Sequence, residues 1–213
     1  MRDFEQLVAA LAGDAAATTL RRAPHPYLLS LKWLGAAAAY LAIALTLSGL
    51  RPDLALVFGQ TWFGAEIIAL ALVLVATSFS AALLAFPDLH QKRGLALAPL
   101  GAFALFLLVL LFAWRADSPP APLPVHSVRC TVDITLLALL PAAWTFLSMR
   151  RLASTHCRWA GSIAVLHAFS VGALWLRLSE ANDSIVHVMA WHYLPMLAVG
   201  MLGLWLGKRI LSW

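Results

Sequence analysis

Apolar residues along this chain collect into six long runs divided by short polar segments. A helix needs about 20 mostly apolar residues to cross about 30 Å of hydrocarbon. The six runs meet that length at residues 32–50, 62–86, 94–114, 130–149, 159–178 and 185–207. The fourth is the weakest, with Asp133 near its start and Pro141 at its middle. Between the third and fourth lies the polar stretch 115–127. Its Ser118-Pro119-Pro120-Ala121-Pro122 sequence forbids a helix and predicts an extended loop. The pattern therefore predicts an all-α fold, an integral membrane bundle of six transmembrane helices.

A different pattern precedes the first run. Phe4, Leu7, Val8 and Leu11 follow i, i+3, i+4, i+7 spacing, which puts one apolar stripe on a short amphipathic helix over residues 1–22. Asp3 and Glu5 sit in its first turn and Arg21 and Arg22 at its far end, an arrangement that suits the helix dipole. Pro24 and Pro26 are expected to break this helix before the membrane. The chain thus divides into an N-terminal segment, 1–26, and a six-helix domain, 27–213. Two roles fit the stripe: lying on membrane lipid, or docking a soluble partner.

Composition changes the class of protein under consideration. Of 213 residues, 62% are hydrophobic and only 12% charged, and the mean hydropathy is +0.83. Soluble domains carry about twice that charged fraction. The net charge of +5 is small and lies in short loops between apolar runs, so it marks membrane orientation and not direct nucleic-acid binding. Residues 1–30 hold six charges and no continuous apolar run, so no cleavable signal peptide is expected and the first run is retained.

Charge also sets the orientation. With the N-terminus inside, the inner segments hold Arg2, Arg21, Arg22, Lys32, Lys92, Arg93, Arg150, Arg151, Arg158, Lys208 and Arg209, against Arg51, Arg115, Arg129 and Arg177 outside. That bias of 11 to 4 predicts both termini on the cytoplasmic side.

Ionisable groups at membrane depth are costly and point to function. On the predicted outer side lie Glu66, Cys130, Asp133, Arg177, Glu180, Asp183, His187 and, slightly deeper, His192; His126 and Arg129 precede the fourth span. A thiol, imidazoles and carboxylates suit a transition or heavy metal ion, with Cys130, His187 and Asp183 as the candidate ligands. The competing reading is an ion-paired network, Arg177 with Asp133 or Glu66, that holds the bundle together. His187 and His192 are five apart, a spacing that does not put them on one face of an α-helix. His167, in mid-span, reads as a hydrogen-bonded packing residue. As an entry point for an external signal, Cys130 is the expected centre, with His187 and either Glu180 or Asp183 beside it. Cys130 and Cys157 fall at opposite ends of the fourth span, about 30 Å apart, too far to pair. No nucleophile elbow, phosphate loop or HExxH motif is present, so an enzyme is not expected.

Several short motifs resemble those of one family. An acidic-apolar N-terminal helix leads to Arg21-Arg22-Ala23-Pro24 and a first span containing Trp33, followed by Arg51-Pro52-Asp53-Leu54. Arg129-Cys130 opens the fourth span, which contains Pro141, and Arg150-Arg151-Leu152-Ala153 follows it. Gly161-Ser162 starts the fifth, and Trp191-His192-Tyr193 lies after His187. Together they resemble the NrsF-type family, negative regulators of sigma F, over essentially the whole chain. The resemblance implies a six-helix inner-membrane anti-sigma factor. Its cytoplasmic N-terminal segment, with Phe4, Leu7, Val8 and Leu11, would sequester an extracytoplasmic-function sigma factor. A periplasmic stress signal, heavy metal or oxidant, would release it. Cys130 matches the family's first periplasmic cysteine. The second is replaced here by Ser179-Glu180-Ala181-Asn182-Asp183, so a two-thiol switch gives way to a mixed thiol, carboxylate and imidazole site. The alternatives are a membrane redox or metal-handling enzyme, or a small transporter, using the same outer cluster.

Overall fold

The computed structural model describes residues 2–17, 24–59, 61–87, 93–116, 128–152 and 154–212. The helices are α1 (Arg2–Ala17), α2 (Pro26–Ser48), α3 (Leu54–Phe58), α4 (Thr61–Leu84), α5 (Arg93–Ala116), α6 (Val128–Arg150), α7 (Cys157–Ser179) and α8 (Ile185–Ile210). Among the described residues there is no strand. All but α1 and α3 are long and apolar enough to cross a membrane. Pro24 and His25 are not helical, and Pro26 begins α2, where at a first-turn position its missing N–H has no intrahelical acceptor to lose. Arg21, Arg22, Lys92 and residues 117–127, where the extended loop is expected, lie outside the described residues.

Position in the bundle follows from side-chain size and polarity. α7 is buried on nearly all sides from Ala160 to Leu174, and α4 is next in burial. α2 and α5 bury only a strip, so Leu47, Leu107 and Phe112 face outward, toward lipid in a membrane. Where α7 meets α8 the backbones nearly touch. A Cβ on Gly161 would lie 2.3 Å from the Cα of Gly207, and one on Gly207 would lie 2.1 Å from the Cys157 carbonyl. Gly203 and Gly207 are four apart, the small-residue spacing that lets two helices pack closely without a hydrophobic drive. The approach also lets the Ser162 hydroxyl donate to Gly200 O at 2.9 Å.

Proline leaves carbonyls orphaned, and neighbours supply the missing donors. Pro141 has no N–H for the Leu137 carbonyl four residues back; the Tyr40 hydroxyl of α2 donates to it at 3.0 Å. Thr145 donates to the Pro141 carbonyl in turn, at 2.8 Å. A proline at the middle of the weakest span is thereby accommodated by a specific inter-helix bond. This matters in hydrocarbon, where no water can substitute.

Candidate functional site

The same repair recurs in α8, with a larger consequence. Pro195 has no N–H for Trp191 O, and the six residues Val188–Tyr193 form a turn of π-helix instead of α-helix. The Thr131 hydroxyl of α6 donates to the Trp191 carbonyl at 2.6 Å. A π turn bonds i to i+5, so residues five apart come to one face. His187 and His192 therefore stand with ring centroids 5.2 Å apart, and the expectation that they diverge is corrected. Pro195, four residues after Trp191, is the sequence signal that was there to be read.

Both imidazoles turn their Nε2 atoms toward Glu180, just past the end of α7. His187 Nε2 lies 3.8 Å and His192 Nε2 3.2 Å from its carboxylate oxygens. Among the described residues neither ring nitrogen of the fully buried His192 has a partner in good hydrogen-bond geometry, and its Nε2 meets Glu180 as an ion-pair contact. Cys130, in the first turn of α6, closes the group: its Sγ is 3.6 Å from both Glu180 oxygens and 3.6 Å from His187 Nε2. One ligand atom from each of these four residues lies within 4.8 Å of all the others, a set that could hold a metal. Burial pushes the Glu180 carboxyl up, but contact with His192 and the nearby His187 and Cys130 outweigh it and leave its pKa below the ordinary value.

Asp183 does not join this group, contrary to its place among the expected ligands. Arg51 Nη1 and Nη2 donate to its two oxygens at 2.7 Å each, while Arg51 Nε and Nη2 hold Asp53 at 2.8 and 2.9 Å. The bond from Arg51, with its charge and that of Arg177, holds the Asp183 carboxyl below its usual range despite partial burial; the Arg51 bond likewise lowers Asp53. A second arginine, Arg177, grips Glu66 through Nε and Nη2 at 2.8 and 2.9 Å and donates to Asn182 O at 2.9 Å. Tyr193 donates to the same Glu66. The ring of Phe63 lies 5.2 Å from the Arg51 guanidinium and 4.8 Å from that of Arg177. Both readings of the polar residues thus have a place: an ion-paired clasp, and beside it a separate thiol, carboxylate and imidazole group. Asp133 belongs to neither; among the described residues it pairs with Arg129 at 3.7 Å on the exposed side.

With this geometry in hand, known proteins narrow the class. The family described as NrsF, negative regulator of sigma F, matches residues 11–213. This chain belongs to that family. A probable anti-sigma-F factor NrsF from Azospira oryzae is 28% identical over 212 residues, covering 98% of this chain and 99% of its own length. No solved structure matches the chain.

As an NrsF-family protein it is a negative regulator of a sigma factor, with six helices of membrane-spanning length. The clasp explains one of its motifs physically. In Arg51-Pro52-Asp53, the arginine side chain closes on the aspartate of its own turn and reaches the α7–α8 connection through Asp183, while Arg51 N donates to Leu178 O at 3.0 Å. That connection carries Glu180, so the clasp fixes where the carboxylate stands. Cys157 sits at the opposite end of the bundle, donating to Leu211 O at 3.3 Å, and both cysteines are free thiols. His167 is buried in mid-bundle, as a packing residue would be. His126 lies outside the described residues. On α1, Phe4, Leu7, Val8 and Leu11 are exposed by 70%, 57%, 49% and 61%, so the stripe is not folded into the bundle.

Proposed function

We propose that this chain is a membrane-anchored anti-sigma factor of the bacterial inner membrane. Residues 1–26 hold an extracytoplasmic-function sigma factor on the cytoplasmic side, and a stress signal at the Cys130 end of the bundle, metal or oxidant, releases it. The observation that carries the reading is the exposed stripe of Phe4, Leu7, Val8 and Leu11 on a helix that precedes the first span. A helix that offers an apolar face and is followed by a short tether suits helix-in-groove recognition of a soluble protein. Few basic residues accompany the stripe, which argues against a helix built for anionic lipid. The excess of Lys and Arg in the segments on the α1 side supports the cytoplasmic placement. The bundle itself serves as anchor and signal receiver and makes no contact with nucleic acid; catalysis has no part in it.

The test is capture of the full-length chain, in detergent, from the membranes of its native host. Recovery of a sigma factor of the extracytoplasmic-function group is expected with the wild type and not with Leu7→Asp. Burial of one such leucine is worth about 1.5–3 kcal/mol, and a buried unpaired carboxylate adds a further cost. Equal recovery with both proteins removes the stripe as the docking element.

A further inference from the structure

We propose that Cys130, Glu180, His187 and His192 form a tetrahedral binding site for one divalent transition-metal ion of the zinc class. The edges of the group decide the geometry. Zinc bonds of about 2.3 Å to sulfur and 2.0–2.2 Å to nitrogen and oxygen, at tetrahedral angles, separate ligand atoms by about 3.3–3.6 Å. The separations here are 3.6 Å from Sγ to the Glu180 oxygens, 3.6 Å from Sγ to His187 Nε2, 3.8 Å from His187 Nε2 to Glu180, and 3.2 Å from His192 Nε2 to Glu180. The four ligand atoms as a set lie within 4.8 Å of one another, so the longer edges contract by up to about 1.5 Å as the tetrahedron closes.

Three further features point to an ion and not to packing. His192 is fully buried, directs its Nε2 into the group, and among the described residues finds no well-formed hydrogen bond for either ring nitrogen. Such a buried polar group costs free energy unless something binds it. The charges also match: a thiolate and a carboxylate supply two negative charges, so a divalent cation with two neutral imidazoles makes a neutral site at the edge of an apolar bundle. The donor set selects the ion as well. One sulfur and two imidazole nitrogens favour zinc, cadmium or cobalt, and they disfavour magnesium and calcium, which take oxygen ligands.

The site is assembled from three elements that are otherwise separate. Cys130 comes from α6, Glu180 from the α7–α8 connection, and the histidines from the start of α8, His187 just before the π turn and His192 within it. Binding releases the Cys130 proton and ties the three together. Four protein ligands leave no open position for water, so the site is of the closed kind that organises structure and not of the kind that activates a substrate. As the input for the stress signal it rests on the function proposed above; as a metal site it stands alone.

The experiment uses the full-length chain in detergent, stripped with chelator and without any sigma factor. Zinc is then added and quantified after dialysis, and in parallel cobalt(II) is titrated as a spectroscopic probe. One equivalent of zinc per chain is expected, and cobalt should give the intense visible bands of a tetrahedral ion with a thiolate charge-transfer band, all erased by zinc. Cys130→Ser should remove the charge-transfer band, Glu180→Gln should weaken binding at least about tenfold, and Cys157→Ser should change nothing. Glu180 lies on a partly exposed connection, so Glu180→Gln leaves the helices intact, which circular dichroism checks. Failure of the wild type to retain metal, weak octahedral cobalt bands, or binding indifferent to both Cys130→Ser and Glu180→Gln overturns the site. Metal binding with no effect on sigma release in cells leaves the site standing and removes only its role as the signal.

Discussion

His187 and His192 face each other at 5.2 Å and 77° although they are five apart in sequence, because the turn of α8 that leads from one to the other is π-helical. The relationship depends on a residue in another helix. Thr131 of α6 supplies the donor that Pro195 cannot give to Trp191 O, so the turn is held from outside as well as from within.

Replacing Thr131 by Val keeps the shape of the side chain and removes the donor. Losing a part-buried hydrogen bond costs about 0.5–1.5 kcal/mol, so a fall in thermal stability of that order is expected for the detergent-solubilised chain. Unchanged melting would mean that the π turn needs no support from α6.

How much of this was legible in the sequence differs from one level to the next. The six helices follow from apolar run length, which is a local property, and so does the stripe on α1. The pairing of Arg177 with Glu66 stood among the alternatives because only opposite charges at like depth can meet. Two things were hidden. Asp183 is drawn away from the thiol by Arg51, a residue 132 positions distant, and no spacing rule reports such a competition. His192 was set aside by α-helical periodicity, and the π turn that overrides it needs Pro195 and Thr131 to be considered together. The glycine contact between α7 and α8 also takes partners from two helices.

That glycine contact makes the next prediction. Gly207→Leu must force α7 and α8 apart, because even a Cβ would meet backbone at 2.1 Å. Overpacking costs about 1–3 kcal/mol where a side chain can yield, and here the obstacle is backbone. A loss at or above that range is expected in thermal unfolding, whereas Gly35→Leu, with nothing within 4 Å of its Cβ, should be tolerated. Equal tolerance at both positions would contradict the close packing.

The Arg51 clasp predicts a pH dependence. The carboxyls of Asp53 and Asp183 are held below their ordinary value by the bonds from Arg51. A depressed carboxyl contributes stability that is full above its unfolded pKa, about 3.9, and that is lost as pH falls through the lower folded value. Arg51→Ala should therefore lower the melting temperature at pH 7, and its difference from the wild type should shrink below about pH 4. A difference that persists unchanged in acid would show that packing over Phe63, not the ion pairs, is what Arg51 supplies.

Orientation is open to direct measurement by reporter fusions. With 11 of the 15 Lys and Arg in the segments on the N-terminal side, fusions after Arg158 and Trp213 should read cytoplasmic, and fusions near Pro120 and Asn182 periplasmic. A periplasmic C-terminus would rule out six crossings that start inside.

The most direct measurement is transcription from a promoter that depends on the cognate sigma factor, in cells carrying the wild-type chain, Leu7→Asp or Leu11→Asp at matched membrane levels. The wild type should keep the promoter silent, and both variants should leave it on without any stress signal. Silence maintained by Leu7→Asp and Leu11→Asp alike would contradict docking through the N-terminal helix.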